Sequence, residues 1–112
     1  MIDEQVLMER FGSIDMIARF YTCFCEQLPS LLEPVQQAVH SENSKELEET
    51  AHRLKGSVAN FSTGAAYVLA AELEQMGREQ QIDNASGKLD SLKVSLEAFK
   101  TAMVEFIETN KV

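Results

Sequence analysis

Apolar residues recur along this chain at intervals of three and four, and they do so in five successive stretches separated by short polar or glycine-containing breaks. That spacing lines one face of a helix, so five helices are predicted, over about residues 3–11, 14–40, 44–61, 65–80 and 84–108. In the first, Val6, Leu7 and Phe11 are placed to cap one end of a bundle, and Gly12 ends it. Ser13 is a good N-cap for the second, with Asp15 in its first turn to complement the helix dipole. The second keeps its period through Ile14, Ile17, Phe20, Tyr21, Phe24, Leu28, Leu31, Val35 and Val39, but Pro29 and Pro34 fall inside it. Each proline removes a backbone donor and crowds the preceding turn, which predicts a kink near Pro29, or a restart between Gln27 and Ser30.

After the polar link 41–44, the third helix opens on Glu46, Glu48 and Glu49 and carries a seam of Leu47, Ala51, Leu54, Val58 and Phe61. Ser62, Thr63 and Gly64 turn the chain, and the fourth helix runs back with Leu69, Leu73 and Met76 as core positions. Its alanines at 65, 66, 70 and 71 allow neighbours to approach closely, so the third and fourth helices are expected to form an antiparallel hairpin. The last helix has the cleanest heptad, with Leu89, Leu92, Leu96, Phe99, Met103 and Phe106 inward and Lys88, Lys93, Glu97, Lys100 and Glu105 outward. The tyrosines and the six phenylalanines stand at core spacings. No stretch alternates as a strand does. The expected fold is therefore all-α: an antiparallel up-down four-helix bundle with a short additional N-terminal helix, a dimeric coiled coil being the lesser possibility for the last helix.

Composition narrows the partners. At 112 residues the chain suits one domain with a single core, and 18 acidic against 10 basic residues give it a net charge of -8. Nucleic acid and anionic membrane surfaces are thereby excluded as general partners. A monomer is the separate expectation for its assembly. Cys23 and Cys25 stand two apart on one helix, where side chains diverge, so they read as buried or half-buried free thiols and not as a disulfide or a metal pair. No signal peptide or long apolar run is visible, which leads to the expectation of a cytoplasmic protein.

The candidate chemistry lies on the third helix. At about 100° per residue, His52 points well away from the apolar seam, and so does Gly56 one turn later. A glycine inside a helix costs about 0.5–1 kcal/mol relative to alanine, and a bare surface beside the imidazole is one reason to carry it. Ala59, also small, continues that face, and Lys55 lies one turn on at the flank of His52, where it can bring an ammonium near. The plain alternative is a solvent-facing histidine beside an incidental glycine. Imidazole keeps a well-populated neutral form near neutral pH, so it can act as a nucleophile without a dedicated base. No nucleotide-binding glycine loop, metal-binding carboxylate cluster or catalytic triad motif accompanies it. His40, at a helix end with no small residue one turn on, reads as a cap or surface residue.

The run Ala51-His52-Arg53-Leu54-Lys55-Gly56-Ser57, followed by Asn60-Phe61 and by Leu73-Glu74-Gln75-Met76-Gly77-Arg78, resembles the histidine-containing phosphotransfer (HPt) domain of bacterial multistep phosphorelays. The resemblance extends over nearly the whole chain, so residues 1–112 are expected to form a single HPt-like domain. One departure is Ser62, where many members carry glycine, with Gly64 two residues on. The resemblance implies that His52 is a phosphoacceptor, taking a phosphoryl group from a response-regulator receiver aspartate and relaying it to another receiver, with a hybrid sensor histidine kinase as a further partner. It also places the residues matching Glu74 and Arg78 near the histidine. Lys55 and Arg78 are then phosphoryl-stabilising candidates, and Gly56, Ala59 and Glu74 are candidates for partner access and docking. For Arg78 and Glu74 the plain alternative is an i,i+4 surface ion pair; a carboxylate also repels a phosphoryl group, and many members carry a neutral amide there. No cofactor or metal is implied for this chain, which would be a phosphotransfer intermediate and not an enzyme with a nucleotide site. Two other readings stay open: the phosphoacceptor domain of a chemotaxis-type histidine kinase, and a helical adaptor that carries no phosphate.

Overall fold

A computed structural model describes residues 2–111, and among them every regular element is an α-helix. The five are α1 (Glu4–Phe11), α2 (Ile14–His40), α3 (Ser44–Ala59), α4 (Ala65–Arg78) and α5 (Ala85–Asn110). Three begin on a side-chain cap that satisfies an otherwise orphaned backbone donor: Asp3 accepts from Val6 N, Ser13 from Met16 N and Asn43 from Glu46 N. Gly12 closes α1 at φ +88°, a left-handed conformation that glycine adopts without steric cost.

α2 runs unbroken through both prolines, so the expected restart at Gln27 to Ser30 does not occur. Pro29 sits on the exposed face, where the carbonyl its ring leaves unpaired can turn to water, while Leu28 and Val35 on the opposite face are buried and hold the helix on the core. α3 ends two residues before Phe61. The amides of Phe61 and Ser62 both bond back to Val58 O, which tightens the last turn, and the Ser62 hydroxyl accepts from Gly64 N to start the reversal.

α3 packs on both α2 and α4, α5 packs on both α4 and α2, and α1 lies against α2. The enclosed core is built from the predicted seams of α2, α3 and α5. α4 differs from expectation. Its fully covered face is Ala66, Ala70, Leu73 and Gly77, also at intervals of four, three and four, whereas Leu69 and Met76 are only partly buried. The small residues won because they let the α4 backbone close on α3: a Cβ at Gly77 would lie 2.5 Å from Glu48 N and 2.7 Å from Ser44 O.

Three further expectations are corrected. Phe20 is 47% exposed, Val6 is exposed while its neighbour Leu7 is buried, and Cys23 is exposed although Cys25 is half-buried. In each case the seam that reaches the core runs one position to the side. No helix among the described residues is long and apolar enough to cross a membrane.

Candidate functional site

Because α3 ascends as α4 descends, each step back along one is matched by a step forward along the other. That register sets His52 against Glu74 and Glu48 against Arg78. The His52 side chain is 67% exposed, and its Nδ1 stands 2.9 Å from Glu74 Oε2. A carboxylate only accepts, so in the neutral ring Nδ1 carries the proton and Nε2, across the ring, keeps its lone pair.

Among the described residues, Glu74 is the one buried charged residue, 6% exposed at the core's margin. Burying a carboxylate is costly unless it is paired and hydrogen-bonded, and here the imidazole and two cationic side chains meet it. Lys55 Nζ lies 2.6 Å from Oε1, and Arg78 Nη2 shares Oε2 with the imidazole at 3.0 Å. Burial pushes the Glu74 carboxyl up, but the hydrogen bonds from Lys55 and His52 outweigh it and hold the group below its ordinary value. Glu74 therefore stays ionised and forms a fixed anionic seat beneath the imidazole.

Arg78 is itself held on three sides. Nε donates to Glu48 Oε2 at 3.1 Å, Nη1 to Gln75 Oε1 at 3.0 Å and Nη2 to Glu74. These acceptors raise its pKa, the Glu48 hydrogen bond most of all.

The structure thus brings His52, Lys55, Glu74 and Arg78 into one connected group. Gly56 and Ala59 continue the α3 face beyond it and bring no polar side chain to that group. Gly56 is exposed, with nothing within 4 Å of where a Cβ would stand, and Ala59 is half-buried. On the α2 side, Ser57 and Asn60 border a shallow hollow floored by Phe24 and Phe61 and walled by Phe11, Phe20, Cys23 and Gln27, with no charged residue in its lining. On the α4 side, Lys45, Glu48, Glu49 and Arg53 surround His52 and Glu74 in an open, strongly charged depression.

Two residues in this neighbourhood lay outside the sequence reading of the site. Glu48 was legible there only as helix-start charge, though its position four residues before His52 was the available signal. Arg10 donates from Nη1 to Ala59 O and Asn60 O, both at 2.9 Å, and so caps the end of α3 from α1. Nothing in the local pattern marks a partner some fifty residues away. His40 is the last residue of α2 and lines a different hollow, with Glu33, Asp90 and Lys93. Among the described residues, no group of three or more His, Cys, Asp and Glu side chains is arranged to hold a metal ion.

Compared with known proteins, the chain matches the family model described as Hpt domain over residues 19–102, well over half its length. No curated protein matches it.

Proposed function

The chain belongs to the Hpt domain family, the phosphotransfer modules of phosphorelays, and from that premise we propose that His52 is its phosphoacceptor in a cytoplasmic relay between response-regulator receiver domains. The observation that carries the reading is the pairing of an exposed imidazole with a buried carboxylate at Nδ1. With the proton held there, Nε2 attacks the phosphorus of a receiver's aspartyl phosphate. The N–P bond forms as the P–O bond to the aspartate breaks, and that electron pair leaves with the aspartate carboxylate.

The Nδ1 proton stays in place, so the phosphorylated ring is cationic and Glu74 stabilises it. The same proton makes the ring a competent leaving group when a second receiver takes the phosphoryl group onward. Transfer of this kind asks for alignment and charge more than for covalent help from the protein. Lys55 supplies positive charge beside the ring for the phosphoryl oxygens, and Arg78 adds to the field from behind Glu74. The catalytic carboxylates and the metal ion belong to the receiver.

Docking lies over Gly56 and Ala59, whose lack of long side chains permits in-line approach, and extends onto the uncharged hollow beside Phe20. The whole chain acts as a single HPt domain, an antiparallel up-down four-helix bundle of α2 to α5 with α1 added at one end, and it works as a monomer.

Incubating the protein with a phosphorylated receiver, with His52→Gln alongside, tests this. Acid-labile, base-stable phosphate is expected on the wild type and none on the variant, whose fold is unchanged because the side chain is solvent-facing. Label that persists in His52→Gln moves the acceptor elsewhere. Label that appears only with ATP and a histidine kinase assigns the chain to the chemotaxis-type phosphoacceptors instead.

A further inference from the structure

The phosphoacceptor reading explains His52, Lys55 and the bare α3 surface but leaves Glu48 without a task. Glu48 stands one helical turn before His52, and its Oε2 takes the Nε–H of Arg78 at 3.1 Å. The guanidinium is planar and rigid, so fixing Nε fixes where the other arm points. Here that arm places Nη2 on Glu74 Oε2, the same oxygen that receives the Nδ1 proton of His52.

The backbone is built for this contact. Gly77, next to Arg78, has no room for a Cβ because the Glu48 amide lies against it, which brings the Arg78 stem onto α3 at the level of Glu48. We propose that Glu48 is a positioning residue: it locks Arg78, Arg78 holds the Glu74 carboxylate, and the carboxylate keeps the His52 proton on Nδ1 with Nε2 free to react. This rests on His52 being the phosphoacceptor. It departs from a direct electrostatic effect of Glu48 on its i,i+4 neighbour, because Glu48 acts only through Arg78.

Long-range ¹H–¹⁵N spectra of the His52 ring, recorded on the full chain above the imidazole titration, read the tautomer with no partner present. The wild type is expected mainly as the Nδ1–H form. Glu48→Ala lowers that share, and Arg78→Ala lowers it equally. The double variant goes no further than Arg78→Ala alone, as for two residues in one chain of contacts. Glu48→Gln retains the wild-type share, since its amide oxygen still accepts from Nε. Initial rates of labelling from a phosphorylated receiver follow the same order, Glu48→Ala falling roughly tenfold, the low end of what outer partners of a site residue supply.

An unchanged tautomer in Glu48→Ala, additive loss in the double variant, or equal loss in Glu48→Gln overturns the proposal. If the tautomer shifts as expected while no receiver labels the wild type, the linkage through Arg78 stands and the phosphorelay reading fails.

Discussion

At the residue scale, the decisive group is the carboxylate beneath the imidazole. His52, Lys55 and Gly56 were legible because a single helix fixes their relative directions. That Glu74 would be buried, and would bind both His52 and Lys55, depends on how two helices pair, which no local pattern records. Its energetics give a sign that can be checked. The folded-state pKa of Glu74 lies below its ordinary value, so its ionised form stabilises the fold above the unfolded carboxyl's titration. That contribution is lost as pH falls through the lower, folded value. Glu74→Gln keeps one acceptor but removes the charge, and it is expected to be less stable than wild type at neutral pH. The gap should begin to narrow below about pH 4.3, where the unfolded carboxyl titrates, and close below the lower, folded value. Urea unfolding of both proteins across that range measures it, and a pH-independent gap would mean that Glu74 is valued for its shape and not for its charge.

At the scale of elements, two glycines one turn from side chains of the proposed site play opposite parts. Both looked alike in the sequence, as glycines inside helical patterns. Gly56 faces open space, so Gly56→Ala introduces no clash and removes backbone freedom from the unfolded chain, stabilising by about 0.5–1 kcal/mol. Gly77→Ala drives a methyl group into the backbone of α3 at Glu48 and Ser44. Backbone yields less readily than a flexible side chain, so this overpacking costs roughly 1–3 kcal/mol and pushes α4 away from α3. Melting temperatures are expected in the order Gly56→Ala, wild type, Gly77→Ala. Gly77→Ala should also accept phosphate poorly, since displacing α4 withdraws Glu74 from His52. Gly56→Glu separates access from stability: the side chain has room in the free protein, and a docked receiver meets it. Folding as wild type with labelling from the receiver blocked is the expected result, and normal labelling would move the docking face away from Gly56.

At the scale of the whole molecule, the sequence carried the number of helices and the seams of α2, α3 and α5, because burying a stripe at intervals of three and four is itself the cause of a packed helix. What it did not carry is how the segments meet at one end. There Phe61, beyond the last residue of α3, stacks on Phe11 of α1 at 5.4 Å, packs at a tilt against Phe24 of α2 at 5.4 Å, and meets Tyr21 and Phe99 at 6.1 and 6.3 Å. A single ring thus joins α1, α2 and α5 to the α3–α4 turn, while Arg10 ties α1 to the carbonyls at the end of α3. Phe61 is 6% exposed, and truncating a ring buried this fully removes its transfer energy and leaves a cavity. Phe61→Ala is expected to cost about 3–5 kcal/mol, a large share of the roughly 5–15 kcal/mol that holds a domain of this kind together. Because the ring touches several helices at once, the loss should lower one cooperative transition and not split it. Thermal unfolding followed by circular dichroism and by aromatic fluorescence should give coincident midpoints in the variant as in the wild type. Midpoints that separate would show that α1 and the hollow beside Phe20 melt apart from the rest, so that the proposed docking face belongs to a weaker unit than the His52 site.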